Sequence, residues 1–369
     1  MISSKRIPVL VVDGLTIRRG GGIVLLNNLV SKLARKGSNV VHILCNSEAD
    51  VSSVEHLDNI TIYRPDNVSS ALDATLFRLI NLNGYLDMLG PKAVLLSFNS
   101  WSRSKSRQIT VHINTMPFLP WRERVASVGY VRAILLKYLS HRALGSSSLN
   151  IFESQYLLDL ANQSYRKKIN NPVVRYFGTD LPSPADKLGF YARANRLITV
   201  TSAANHKQNH KVIQAFHAIK NVFPDLELII VGNEQLIRKD IARTMPNLDY
   251  NQIRFSGYLS RQQLADEIGN CLALISLSTT ESFYLVAVEA MLCRTPVIVK
   301  RIASAEESCG TNALFINDDS PKTVIRAYEE LTDEKIWSQL SEQGYLHSRK
   351  FGLATCMGAI TQDVLENIV

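Results

Sequence analysis

Short, unbroken apolar runs limit what this chain can fold into more than any other feature. Leu228-Ile229-Ile230-Val231, in the strand expected over 226–232, and Cys271-Leu272-Ala273-Leu274-Ile275, in the strand expected over 271–278, lack the polar alternation of a strand with one wet face, and both are too short for helices. Such runs belong to strands covered on both faces, as in a parallel sheet flanked by helices. The first ends at Gly232. The second meets polar Ser278, Thr279 and Thr280 before apolar residues resume at helical spacing through Val286, Ala287, Ala290 and Met291. Residues 196–202, the polar stretch 203–210, and then Val212, Ile213, Ala215, Phe216 and Ile219 repeat the order strand, loop, helix. Near the N-terminus a strand over 7–13 precedes Gly14 and the run Arg19-Gly20-Gly21-Gly22. A helix is expected over 23–36, with Gly37 as its stop, and another strand over 39–45. This alternation predicts an α/β fold. At 369 residues and 46% hydrophobic content there is material for two cored domains. Leu181-Pro182-Ser183-Pro184 reads as a linker, which puts the boundary near residue 180.

Loops at the carboxyl ends of such strands face helix N-termini with free N–H groups, and open α/β sheets bind phosphorylated ligands there. The pattern puts Glu281 on one such loop and Glu289 one turn into the next helix, with Ser282 as its N-cap. Two carboxylates in this place can each grip a pair of hydroxyls. Equally, Glu281 can complement the helix dipole, worth about 0.3–1 kcal/mol, and Glu289 can be a solvated helix residue. Lys207, just before a helix N-terminus, is either solvated or set to neutralise a diphosphate through a charge-assisted bond of about 1.5–3 kcal/mol. Gly21 and Gly22 allow close approach of backbone to an anion, or make an ordinary flexible loop. They do not match G-x-G-x-x-G, which counts against a nicotinamide or flavin cofactor. His112 closes the apolar strand Ile109-Thr110-Val111 and is either structural there or part of a site.

The stretch Thr279-Thr280-Glu281-Ser282-Phe283-Tyr284-Leu285-Val286-Ala287-Val288-Glu289-Ala290-Met291, with Thr295-Pro296-Val297-Ile298-Val299 after it, resembles the E-x7-E signature of family 4 retaining glycosyltransferases. Their GT-B fold has two Rossmann-like doubly wound domains facing across a cleft. The resemblance implies an acceptor-binding domain over 1–180, a nucleotide-sugar-binding domain over 181–350, and a helix over 351–369 crossing back to the first. It gives Glu281 the donor sugar and Glu289 the ribose hydroxyls. Lys207 matches the family's lysine on the leaving diphosphate, while Ser202 stands where the family has arginine. Gly21 and Gly22, Ser282, Phe283, Tyr284 and Leu285, Gly232 and Tyr258 complete the implied donor-binding set. His112 would face the sugar from the first domain, so Glu281, Lys207 and His112 are the catalytic candidates. The chain departs from the family at Ser282, Tyr284 and Arg294, where glycine is usual, and at Val286, often proline. Tyr284 in that place is expected to narrow or reshape the donor pocket.

The implied reaction moves a hexosyl group, with retention, from a UDP- or GDP-sugar to a hydroxyl of a polysaccharide, lipopolysaccharide or lipid-linked glycan. The nucleotide sugar is a co-substrate, and no other cofactor is implied. No Asp-x-Asp occurs, so chemistry without a metal is expected. The missing glycines and Ser202 keep open an alternative from another class, a catalytically degenerate GT-B module that binds within a glycan-assembly complex. A sugar-nucleotide epimerase of similar fold would need a more evident acid/base set. Charge separates the halves: residues 1–180 hold 22 Lys and Arg against 12 Asp and Glu, residues 181–369 hold 19 against 21, so the first half carries the whole excess behind the net +8. Between residues 101 and 142 eight cations face only Glu123, with aromatic residues interleaved. Residues 125–139 read as a basic amphipathic helix for an anionic membrane surface, or as a solvated face over a core helix. No nucleic-acid motif accompanies the charge. Five scattered cysteines, no apolar leader and no membrane-length apolar stretch lead to an expected cytoplasmic location, peripheral at the inner face of a membrane if the basic segment docks.

Overall fold

The computed structural model describes residues 9–17, 21–36 and 40–368; the expected Arg19 and Gly20 of the glycine run, and the helix stop at Gly37, lie outside them. The described residues form two compact units, one running to Phe177 and resuming at Leu353, the other Gly178–Gly352. In unit 1 the elements are β1 (Val9–Asp13), α1 (Gly21–Lys36), β2 (Val40–Leu44), β3 (Ile60–Tyr63), α2 (Ala71–Ile80), α3 (Leu82–Leu89), β4 (Val94–Phe98), β5 (Arg107–His112), α4 (Trp121–Val128), α5 (Tyr130–Ser146), β6 (Leu149–Phe152), α6 (Gln155–Ser164) and β7 (Pro172–Val174). The strands are parallel in the order β3-β2-β1-β4-β5-β6-β7, so the winding direction reverses between β1 and β4. Leu26, Leu29, Val30 and Leu33 of α1 close over Val12, Ile43 and Leu96 of the sheet.

Unit 2 contains β8 (Ala194–Val200), α7 (Asn209–Lys220), β9 (Glu227–Val231), α8 (Glu234–Ala242), β10 (Ile253–Gly257), α9 (Arg261–Asn270), β11 (Cys271–Ser276), α10 (Leu285–Leu292), β12 (Val297–Lys300), α11 (Ala303–Cys309), β13 (Leu314–Ile316), α12 (Pro321–Leu331) and α13 (Glu334–Ser348). Its parallel order is β10-β9-β8-β11-β12-β13, with the reversal between β8 and β11. Every residue of β11 is buried, the pattern its unbroken apolar run requires. Val212, Ile213, Phe216 and Ile219 of α7 pack on Leu197, Leu228 and Ile230. The last helix, α14 (Leu353–Glu366), belongs to unit 1, where Met357, Ile360 and Val364 join the core under α1.

One element differs from expectation. The basic helix over 125–139 is broken at Gly129, whose φ of 79° lies in the left-handed region that favours glycine, leaving the separate helices α4 and α5. Tyr130, Val131, Ile134 and Tyr138 of α5 are exposed. Among the described residues no helix is long and apolar enough to cross a membrane.

Candidate active site

Strands β8 and β11 are neighbours whose following helices start the two opposite windings of the sheet, and such a switch point leaves a crevice outside the strand ends. Lys207 and Glu281 meet there. After β8 the chain makes a single 3-10 turn over Asn205–Lys207, and Gln208 enters α7 in the left-handed conformation at φ 51°. After β11 the loop comes back beside it, and Thr279 N donates to the His206 carbonyl oxygen at 2.9 Å. This tie places Lys207 Nζ 2.7 Å from Glu281 Oε1, with side chains 20% and 15% exposed, so the pair is within reach of solvent and of a ligand. Burial lowers the His206 pKa, Glu281 opposes the shift and Lys207 reinforces it. Ser202 brings no cation to the loop. Its carbonyl oxygen accepts from Asn209 Nδ2 at 2.8 Å, and buried Asn209 also bonds Thr201 and Asp240, fixing the start of α7.

Glu289 is held differently. The helix that carries it begins at Leu285 rather than at Ser282, because Tyr284 turns into the core and becomes the N-cap without a side-chain capping bond. Glu289 then falls in the second turn and is 7% exposed. Its Oε1 accepts from Thr179 Oγ1 at 2.9 Å and from an Arg261 guanidinium nitrogen at 2.7 Å. The other terminal nitrogen of Arg261 donates to Thr179 Oγ1 at 2.7 Å and to Asp180 Oδ1 at 2.8 Å. Burial alone would lower the Arg261 pKa, but Glu289 and then Asp180 outweigh it and leave it raised. Ser260 and Gln263 form a reciprocal capping box in front of Arg261. Thr179, Asp180 and Arg261 carry no sequence signal for this role. Positions 179, 261 and 289 converge only through the strand order.

The remaining candidates divide. Tyr284 is fully buried, and its hydroxyl bonds the Ser276 carbonyl oxygen at 3.1 Å and Ser276 Oγ at 2.9 Å. It therefore fills the core behind β11 and does not narrow a pocket; burial raises its pKa. Phe283 is buried against Phe351, Ser282 and Leu285 are half-buried, and Tyr258 is exposed. Gly232, at φ 143°, is required sterically, since a Cβ would stand 2.3 Å from the Thr201 carbonyl oxygen. In unit 1, Gly21 opens α1, and Gly22 lines a cavity of about 1080 Å³ together with Thr16, Asn99 and Asn114, beyond the β1/β4 switch point. His112 was expected to face a sugar and instead is sealed. It is 0% exposed, stacks on Phe152 with ring centroids 4.5 Å apart, and donates from Nε2 to Asn150 Oδ1 at 2.9 Å. Asn150 gives its own amide hydrogens to the carbonyls of Leu144 and Asn170, which fixes its oxygen as the acceptor. The His112 Nδ1 is buried without a partner among the described residues, and burial pushes the ring pKa down to about 4.

Known proteins resemble this chain in sequence over parts of its length and in fold over nearly all of it. The curated relatives include the uncharacterized glycosyltransferase MJ1178 of Methanocaldococcus jannaschii, 29% identical over 143 residues, 38% of this chain and 40% of that protein. The O-antigen chain mannosyltransferase RfbU of Salmonella typhimurium is 30% identical over 129 residues, 34% of this chain and 36% of that one. The chain thus spans about two-fifths of the length of the curated relatives it matches. The solved structure of Anabaena Alr3699/HepE in complex with UDP-glucose shares the fold, with a TM-score of 0.70 and 16% identity over 97% of this chain and 99% of that one. Residues 184–346, nearly all of unit 2, match the family model described as Glycosyl transferases group 1, and the two Rossmann-like units have the GT-B fold.

Proposed function

We propose that this chain is a retaining hexosyltransferase, moving a sugar from a UDP- or GDP-sugar to a hydroxyl of a polysaccharide, lipopolysaccharide or lipid-linked glycan. The Lys207–Glu281 pair at the switch point of the unit that matches the group 1 family model carries this reading. A nucleoside diphosphate suits that place, because Lys207 exchanges one carboxylate for the diphosphate oxygens as the donor enters. Glu281 is then released to accept from hydroxyls of the sugar. With Glu289 Oε1 occupied by Thr179 and Arg261, Oε2 is left for the ribose hydroxyls. As the anomeric carbon–oxygen bond breaks, its electron pair goes to the diphosphate, whose growing charge Lys207 stabilises. The acceptor oxygen bonds to the anomeric carbon on the same face, and its proton passes to a phosphate oxygen. The reading assigns no protein residue as general base.

UDP-glucose in HepE and the mannosyltransferase name of RfbU support a nucleotide-sugar donor and a glycan acceptor. The acceptor is assigned to the unit 1 cavity beside Gly22, where Asn99 and Asn114 offer polar groups and Leu135 and Leu139 an apolar wall. The basic segment over 101–142 is assigned to an anionic membrane surface, with the protein at the cytoplasmic face. No metal or separate cofactor takes part, and activity that disappears in excess chelator would refute that point. The deciding experiment is calorimetric titration of UDP, GDP and their sugars, followed by the anomeric configuration of any product by NMR. Selective binding and a retained anomer support transfer, and an inverted product sinks the retaining assignment. One observation favours the second reading, a binding module without turnover: both carboxylates are already engaged by protein cations. Nucleotide binding without product from any acceptor tested would select it.

A further inference from the structure

On unit 1, α4, α5 and α6 border a groove of about 720 Å³, lined by Arg124, Lys137, Arg166 and Lys167 with no carboxylate among its lining residues. It shares Trp121, Lys137 and Lys167 with an adjoining hollow of about 610 Å³, which adds Arg142. The second observation is Arg124 itself, a cation only 2% exposed. One terminal nitrogen of Arg124 donates to the carbonyl oxygens of Pro117 at 2.7 Å and Leu119 at 3.1 Å, and the guanidinium carbon lies 5.5 Å from the Trp121 ring centroid. Its Nε is buried without a partner among the described residues. Carbonyl dipoles supply no counter-charge, and a guanidinium buried without one is unfavourable. His141 reports the same excess. It lines the groove with Nε2 3.1 Å from Ser164 Oγ, and burial, then Lys137 on its own helix and Arg124 on α4, push its pKa down to about 4.

We propose that this groove binds a phosphate group, carried either by a membrane lipid headgroup or by a soluble phosphorylated ligand. A phosphate offers several acceptor oxygens to converging cations, and the guanidinium fork matches two of them at once. Trp121 and Tyr138, both exposed, supply aromatic faces for the apolar or sugar part of the molecule that bears it. The groove overlaps the basic segment over 101–142, so its headgroup arm rests on the membrane assignment of that segment and narrows it to one phosphate-binding groove; neither arm depends on donor binding.

The test uses the whole chain with isotope-labelled histidines, titrated with pyrophosphate and, separately, with phosphatidylcholine vesicles with and without phosphatidic acid. His141 reports the groove. His206, which feels Lys207 and Glu281, reports any diphosphate at the unit 2 loops, so failure at one site is distinguishable from failure at the other. The expected result is a saturable shift of the His141 resonances, with its titration midpoint moved upward. Lys137→Glu with Lys167→Glu, both exposed residues, should weaken that response about tenfold or more while the His206 response persists. A response to pyrophosphate identifies a soluble phosphorylated ligand, and a response to acidic vesicles alone identifies the headgroup. A silent His141 in both titrations, or a response undiminished in the double variant, overturns the proposal.

Discussion

The ends of β5 and β11 look alike in sequence and differ in the structure. Each closes a parallel strand with polar residues ahead of a helix, and the resemblance to glycosyltransferases places catalytic candidates after both. At β11 the loop carrying Glu281 is open and ion-paired to a lysine from the neighbouring loop. At β5, His112 is enclosed by Phe118 and Phe152. Strand order accounts for the difference. β11 borders β8 at the reversal of winding, where the flanking helices part, whereas β5 lies between β4 and β6, away from the β1/β4 reversal, and its connection folds back over it. A strand end is therefore a site only where the topology leaves it uncovered.

The largest effect should separate these two ends directly. In the proposed reaction Lys207→Ala removes the cation assigned to the leaving diphosphate, and kcat/KM should fall about 10²–10³-fold, the cost of losing one preorganised charge-stabilising group. His112→Phe, measured per folded molecule, should leave kcat/KM nearly unchanged, because the ring touches no solvent. An equal loss from the two substitutions would break the comparison and return His112 to the catalytic set.

What His112 does control is acid stability. Its pKa is about 4 folded against an ordinary value of 6.5, so between these values the unfolded chain binds more protons. Stability from this group is complete above pH 6.5 and is lost as pH falls toward 4, by on the order of 3 kcal/mol in all. Urea midpoints should drop on going from pH 7.5 to pH 4.5, and His112→Phe should flatten that drop by the His112 share. An unchanged pH dependence in the variant would mean that the other buried histidines carry it.

These two predictions mark what the sequence could and could not reveal. The apolar runs were sufficient for parallel strands and for two α/β units, because burial on both faces leaves no room for polar alternation. Glu281 and Lys207 were legible as candidates because each follows a strand in a loop, and the structure brings the two side chains together. The Glu289 cluster was not. Arg261 and Thr179 lie 28 and 110 positions from Glu289, and neither the cap at Ser260 nor the turn at Thr179 shows in sequence which side chain will meet them. Nor could periodicity tell that Tyr284 points inward, since a single residue between loop and helix has no repeat to place it.

The Glu289 cluster can be probed at its least expected member. Arg261→Ala leaves Glu289 Oε1 with Thr179 as its one partner in the cluster and removes the cation that orients the carboxylate, so KM for the donor should rise about tenfold with kcat little changed. Arg261→Lys, which keeps charge but not the fork to Thr179 and Asp180, should recover only part of this loss. A fall in kcat at constant KM would place Arg261 among the groups that act on the leaving diphosphate and would blur the contrast between the rigid Glu289 and the exchangeable Glu281.

The smallest effect tests the inward turn at the head of α10. Tyr284→Phe keeps the ring that fills the space behind β11 and deletes the hydroxyl that bonds Ser276. The cost should be about 1–3 kcal/mol in stability, because a buried carbonyl and a serine hydroxyl lose a partner. The donor KM should stay unchanged, since the residue is fully buried and does not line the opening at Lys207 and Glu281. Donor affinity that moves with this substitution would show that the head of α10 transmits its packing to Glu289, five residues on, and that the loop and the helix after β11 act as one unit.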